Sequence, residues 1–182
     1  MNVETAPING IRVIQPRVFD DDRGFFFESF NHEVMRDAGI DTQFVQDNHS
    51  FSRKCGTIRG LHFQSSPREQ AKLVRVVRGS ILDVAVDLRA GSPSFGEHFA
   101  IELSAENKKQ LLIPAGFAHG FCTLSDNSEV LYKASDTYAP EFDCGIRWDD
   151  PDLAIPWAIA GGDVTLSTKD SNLPTLRQCF RL

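Results

Sequence analysis

Several polar side chains fall where a strand-rich chain would normally place apolar ones. Arg59 and His62 sit in Ile58–Gln64 (IRGLHFQ), and Lys72 opens the β-branched run Lys72–Arg78. Asp83 and Asp87 alternate with apolar residues in Asp83–Arg89 (DVAVDLR), and Tyr132 lies in Glu129–Ser135. An imidazole with an ordinary pKa of about 6.5 makes His62 a general base near neutral pH. Tyr132, with a phenol titrating near ~10, is a poor base but a serviceable acid beside a carbonyl or a developing anion. The cations of Lys72 and Arg59 suit phosphate oxygens or a growing enolate. Nucleophilic chemistry lacks a motif: there is no GxSxG and no cysteine in an evident basic pocket, and neither a Walker loop nor GxGxxG occurs. Proton transfer or metal chemistry remains. Taken singly, each residue has a blander reading, since a lone strand His or Arg usually faces solvent or is satisfied in the core. Gathered on neighbouring strands, they point to a polar, ligand-binding cup.

The elements that must position them read mostly as strands. Leu82, Val84, Val86 and Leu88 alternate with Asp83, Ala85, Asp87 and Arg89, the pattern of a strand with two different faces. Gly79-Ser80 between this strand and Lys72–Arg78 predicts a two-residue hairpin turn. Further strands are predicted at Ile11–Phe19, Phe25–Phe30, Phe44–His49, Ile58–Gln64, His98–Leu103, Gln110–Ile113, Gly120–Leu124 and Glu129–Ser135. Turn chemistry separates most of them, as at Asp20-Asp21-Asp22, Gly91-Ser92-Pro93 and Ser125-Asp126-Asn127. One early helix is predicted, His32–Ala38, closed by Gly39. Such a run of short strands predicts an all-β sandwich or barrel, and only a barrel that leaves a cup can line its interior with polar groups. Asp150–Leu182, with Pro151, Pro156 and Gly161-Gly162, predicts an irregular or partly helical appendage. No repeat or linker divides residues 1–182, which read as a single domain.

Composition narrows the partners. The 182 residues are 41% hydrophobic and 24% charged, an ordinary globular balance. Nineteen Lys and Arg against 25 Asp and Glu leave a net charge of -6, which argues against nucleic acid. No apolar run approaches the ~18 residues of a membrane span, and Met1–Ile11 lacks a signal-peptide pattern. Cys55, Cys122, Cys144 and Cys179 are widely spaced, which predicts reduced thiols in a cytoplasmic protein.

Pro114–His119 (PAGFAH) has the PxGxxH spacing of the second cupin motif, and His62 stands where the first would begin. Metal cupins resemble HxH with a downstream Glu; here Gln64 replaces the second His, leaving His62, Glu69 and His119 at best. A neutral amide oxygen is a weaker ligand than imidazole for iron, copper or zinc. The resemblance therefore favours the cupin jelly roll over the metal, and no cofactor is expected. His32, His49 and His98 read as surface or structural residues.

The chain resembles the dTDP-4-dehydrorhamnose 3,5-epimerases over nearly its whole length. The matching stretches are Arg23–Phe30 (RGFFFESF), Phe44–Ser50 (FVQDNHS), Ile58–Gln64, Lys72–Val77 (KLVRVV), Asp83–Arg89, Ser94–Gly96 (SFG), Leu103–Gln110 (LSAENKKQ), Ile113–Phe121 (IPAGFAHGF) and Tyr132-Lys133. The resemblance implies an all-β, cupin-like jelly-roll barrel with short peripheral helices that works without metal, as a homodimer with exchanged strands. It implies epimerisation of dTDP-4-dehydro-6-deoxy-D-glucose at C3 and C5, in dTDP-L-rhamnose biosynthesis. By the same resemblance His62 is the base, Asp170 the carboxylate that orients it, Tyr132 the acid on the opposite face and Lys72 the enolate stabiliser. Arg23, Glu28, Gln46, Asp47, Asn48, Arg59, Lys72, His119, Asp143 and Lys169 match positions that hold nucleotide and sugar, with Asp83 a candidate partner of His119. Three positions depart from the family pattern: Asp143 where relatives commonly have Glu, Ala71 where Gly is common, and Thr137 where an aromatic is frequent.

The residue-by-residue alternatives are a satisfied core histidine at 62, a helix N-cap at Asp170 and a surface ion pair for Arg23 and Glu28. Alternative functions are a C3-only epimerase of a related dTDP-4-keto-6-deoxy sugar, a metal-dependent cupin oxygenase and a non-catalytic sugar-nucleotide binder. Tyr132 favours the double inversion, which needs a placed acid twice.

Overall fold

Alternation of apolar side chains sets the architecture, because a strand buried on both faces must lie between two layers. The computed structural model describes residues 1–159 and 164–180. Among these, β1 (Asn2–Thr5), β2 (Arg12–Gln15), β10 (Gln110–Ile113), β7 (Lys72–Arg78), β12 (Ser128–Ala134) and β5 (Gln46–Ser52) form one six-stranded sheet in the order β1-β2-β10-β7-β12-β5. A five-stranded sheet faces it, ordered β13 (Asp143–Gly145), β6 (Ile58–Gln64), β11 (Phe117–Thr123), β8 (Ser80–Asp87) and β9 (His98–Ser104). Within each of these two sheets every strand pairing is antiparallel, as a jelly roll requires. A separate two-stranded ribbon, β3 (Val18–Asp21) with β4 (Gly24–Phe27), stands apart from both.

The interior core runs from Ala6, Ile8 and Ile11 through Val74, Val76, Ile81, Ala85 and Leu103 to Phe117, Phe121 and Val130. The outer face of the five-stranded sheet is also apolar. Leu61, Val84, Val86, Leu88 and Ala118 pack there against Ile146, just after β13, and against Leu153 and Leu176 of the C-terminal segment. On the other sheet, Ile14, Leu73 and Leu112 are covered by Met35 and Ile40, brought by α1 (His32–Asp37) and the turn after it. Asn31 caps α1 by accepting from the Glu33 and Val34 N–H groups. Gly39, at φ +81, closes its C-terminus as expected.

Most predicted strands form, with shifted ends, but the hairpin at Gly79-Ser80 does not. β7 pairs with β10 and β12, whereas β8 pairs with β11 and β9, so the chain crosses from one sheet to the other there. Gly79 turns this corner at φ +73 against Ser125 and Ser128, where a Cβ would collide with both hydroxyls. The run expected at Ile11–Phe19 breaks at Pro16 into β2 and β3. β1 and β13 were not foreseen. The C-terminal segment is partly helical, with α2 (Thr168–Ser171) and α3 (Leu176–Phe180); Gly161-Gly162 lie outside the described residues.

β6 and β11 touch most closely at their glycines. A Cβ on Gly60, at φ +117, would stand 2.6 Å from the Gly120 Cα and 2.7 Å from the His119 carbonyl oxygen. Gly60→Ala is therefore expected to destabilise the fold by about 2 kcal/mol or more. Gly91→Ala, at φ +74 with nothing within 4 Å of its Cβ, bears only the left-handed backbone cost of ~1–2 kcal/mol. Urea unfolding midpoints of the two variants give the comparison, and equal losses would contradict the close contact.

Candidate active site

One end of the interior stays open as a cavity of about 740 Å³. Alternation aims Gln46, Asn48 and Ser50 of β5 inward, together with Lys72 of β7 and Tyr132 of β12. The facing sheet contributes Arg59 and His62 from β6, His119 from β11 and Asp143 from β13. The C-terminal segment closes the rim with Ser167, Lys169 and Asp170.

His62 and His119 are direct register partners across β6 and β11, with a bulge between His119 and Phe121 beside the touching glycines. His62 Nε2 lies 2.5 Å from Asp170 Oδ1. In a neutral ring, a proton on Nε2 leaves Nδ1 as the acceptor. Asp170 is not the N-cap of α2. Ser167 is, its Oγ accepting the Asp170 N–H at 3.0 Å. Burial pushes the Asp170 carboxyl up, but the His62 hydrogen bond and charge, Ser167 and the Gly60 N–H outweigh it and hold the pKa below the usual range. The pattern Ser167-Thr168-Lys169-Asp170, a hydroxyl followed three residues later by an acid, marks this helix start in the sequence.

Tyr132 stands on the opposite sheet from His62, its ring edge-on to His119 with centroids 6.5 Å apart. Burial raises its pKa, opposed by Arg59 and reinforced by Asp143, so the phenol stays protonated as an acid must. Lys72 is buried and donates to the His62 carbonyl oxygen at 3.3 Å. Burial lowers its pKa to about 8; Asp83 and Asp143 oppose the fall and Lys169 adds to it. Arg59 is anchored by donation to Ser52 Oγ at 3.1 Å and the Phe51 carbonyl oxygen at 2.9 Å.

Asp143 accepts from Lys169 Nζ at 2.5 Å and from the Tyr138 hydroxyl at 2.9 Å, so the side chain one methylene shorter than Glu still bridges β13 to α2. Tyr138, Gln70, Ser50 and Ser167 also line the cavity, and none carried a motif strong enough to be singled out. Three expected residues are not brought here in one chain. Arg23 pairs with Asp21 at 2.6 Å on the exposed ribbon. Glu28 lines a different groove, with Phe19, Phe26 and Phe30. Asp47, on the outward face of β5, accepts from Lys133 Nζ at 2.9 Å. Asp87 also departs from the cup: buried, it accepts from Arg89, Ser92 and Ser94 in a loop anchor.

The metal-ligand geometry of the cupin alternative is not assembled. His62 is bonded to Asp170 and His119 to Asp83, and Glu69 does not line the cavity. The Gln64 amide donates to the Arg68 carbonyl oxygen at 2.6 Å and accepts the Ala139 N–H at 2.7 Å. Among the described residues no group of three His, Cys, Asp or Glu is arranged to hold a metal ion.

A jelly-roll cup with a carboxylate-supported imidazole on one sheet and a protonated phenol on the other defines an isomerase that works by proton transfer at carbon. The family model for dTDP-4-dehydrorhamnose 3,5-epimerase matches residues 5–178, and the chain belongs to that family. The dTDP-4-dehydrorhamnose 3,5-epimerase of Escherichia coli K12 is 51% identical over 100% of this chain and 98% of its own. A crystal structure of the Bacillus anthracis dTDP-4-dehydrorhamnose 3,5-epimerase with TDP and PPi bound is 48% identical, with a TM-score of 0.93 over 96% of this chain and 99% of that one. The Legionella pneumophila dTDP-6-deoxy-D-glucose-3,5-epimerase, solved with dTDP-4-keto-L-rhamnose, is 45% identical, with a TM-score of 0.92 over 97% of this chain and 93% of that one.

The His62–Asp170 pair carries a pH signature. A carboxyl held below its unfolded value of ~3.9 contributes stability that is complete above that pH and lost as pH falls through the folded value. The stability gap between wild type and Asp170→Asn is thus expected to be widest above about pH 4 and to close in more acid solution. Urea titrations from neutral pH downward check this; a gap independent of pH would contradict it.

Proposed function

We propose that the chain epimerises dTDP-4-dehydro-6-deoxy-D-glucose at C3 and C5 to dTDP-4-dehydro-L-rhamnose. The observation that carries the reading is the placement of His62 and Tyr132 on facing sheets of one cavity. The C4 ketone acidifies the hydrogens on C3 and C5, because the carbanion delocalises onto the ketone oxygen. His62 Nδ1 removes the proton from one face, and its imidazolium is supported by Asp170. Lys72 meets the enolate oxygen with a preorganised positive charge. Tyr132 returns a proton to carbon from the other face. Each inversion leaves an imidazolium and a phenolate, which exchange protons with water before the next.

Arg59 and Lys169 are the cations for the diphosphate and sugar, with Gln46, Asn48, His119 and Asp143 as polar partners. Relatives close to full length carry the 3,5-epimerase name, which sets the C3-only alternative behind this one. We read residues 1–182 as one domain and the protein as cytoplasmic. No helix among the described residues is long and apolar enough to cross a membrane, and the four cysteines are free thiols.

Arg23, Glu28 and Asp47 join this reading through a homodimer with exchanged strands. The β3–β4 ribbon exposes Phe26 (71%), Phe25 (58%) and Phe19 (51%) next to Arg23, an apolar surface that a second copy would cover. The ribbon would then bring the partner's Arg23 to the cavity.

Proton NMR in D₂O, after EDTA treatment, is expected to find deuterium at both C3 and C5 of the substrate. Incorporation at C3 alone would move the assignment to a monoepimerase. His62→Ala should lose about 10²–10⁴ in exchange rate at both carbons, while Tyr132→Phe should spare exchange more than completed epimerisation. Equal loss of both in Tyr132→Phe would contradict its role. Mixing refolded His62→Ala and Arg23→Ala chains should restore roughly a quarter of wild-type activity, since half the random dimers would contain one intact site. No restoration would mean that Arg23 serves its own chain or none.

A further inference from the structure

A second carboxylate–imidazole pair lies beneath the cavity. Asp83 of β8 is fully buried, and its Oδ1 receives the His119 Nε2–H at 2.7 Å. Its Oδ2 has no hydrogen-bond partner among the described residues. Anchoring His119 needs one acceptor oxygen, which an uncharged amide would also supply. A buried charge with half its acceptor capacity idle is costly and needs another reason.

The acidic groups of the site differ in what matches them. Asp170 is paired with His62 and Asp143 with Lys169, both at 2.5 Å. Among the described residues Asp83 is bonded to the His119 ring through Oδ1 alone, which leaves Oδ2 without a partner. The buried cation without a carboxylate in contact is Lys72. Its ammonium donates to the His62 carbonyl oxygen of β6, and it feels the charges of Asp83 of β8, Asp143 of β13 and Lys169 of α2. Around the same cavity stand Arg59 and the His62 ring of β6, His119 of β11, Tyr132 of β12 and Asp170 of α2.

We propose that Asp83 is a positioning residue of the reaction: it fixes His119 as the tautomer protonated at Nε2, and its unmatched charge is the counterion of the Lys72 ammonium. This rests on the reading of Lys72 as the enolate stabiliser. Lys72 must be protonated to act, so removing the Asp83 charge frees it to become a neutral amine at lower pH. His119, with Nδ1 unprotonated, presents an acceptor to a sugar hydroxyl.

The test is Asp83→Asn, which keeps the size of the side chain and removes its charge. In kcat/KM against pH, the alkaline limb is expected to move toward acid by about one pH unit or more. The deficit relative to wild type should exceed tenfold near pH 8 and shrink as pH falls. A deficit constant across pH, or none, would overturn the proposal. Lys72→Gln separates the two readings. If it keeps wild-type activity, the role of Lys72 fails; if it is inactive while Asp83→Asn leaves the limb in place, only the inference about Asp83 fails. Should Asp83→Asn not fold, the Lys72 ammonium of the wild type can be titrated by nitrogen NMR. Persistence of the ammonium to about pH 8 supports the proposal, and loss of it below neutral pH overturns it.

Discussion

The backbones of β6 and β11 touch at Gly60 and Gly120, and most of the site's geometry follows from that contact. No side chain fits between them: a Cβ on either glycine would strike the neighbouring strand's backbone below 3 Å. The approach sets His62 opposite His119, and the adjoining bulge lets Phe121 return to register with Arg59. The Gly60 N–H also contributes to holding Asp170 ionised. One tight pairing therefore positions His62, His119 and the Asp170 carboxylate bonded to His62. Tyr132, on the opposite sheet, is placed separately by the pairing of β12 with β7 and β5.

Charge organises the rest of the cavity. Lys72, Arg59 and Lys169 face Asp83, Asp143 and Asp170 around it, and burial penalises every one of these charges left unpaired. Lys169 and Asp143 neutralise each other at the rim, and His62 is bonded to Asp170 deeper in. The Asp87 cluster obeys the same rule without chemistry. Burial pushes its carboxyl up, yet Arg89 and two serine hydroxyls reverse this and keep it ionised as a loop anchor.

Period-two alternation made the strands and their faces legible in the sequence, including the inward aim of Lys72, Asp83 and Tyr132. It carries no information about which strand lies beside which. Gly79-Ser80 looked like a hairpin because two strands meet at a glycine there, yet a sheet-crossing corner needs the same left-handed residue. Asp83 and Asp87 share a face in the sequence, but only Asp83 lies behind the cup, since Arg89 and the serines after it claim Asp87. Family resemblance supplied Asp170, far along the chain in a segment without periodicity. The same resemblance supplied Arg23, Glu28 and Asp47, which lie away from the cavity, on the ribbon, in a second groove and on the outward face of β5.

The C-terminal segment shows why an irregular tail can belong to the reaction. The outer face of the five-stranded sheet is apolar, and without cover Val84, Val86 and Leu61 would meet water. Leu153, Leu176 and Phe180 cover it, with Phe180 packed edge-on to Phe95 at 5.3 Å. Asp150, buried, ties the segment together by accepting the Leu153 and Leu176 N–H groups. Thr165 then pairs with Thr57 beside β6, and two residues later Ser167 starts α2 with Asp170 turned toward His62. Burial of an outer apolar face thus fixes where the Asp170 carboxylate meets His62. Loosening that packing would shift Asp170 against His62, although the apolar side chains named here do not line the cavity.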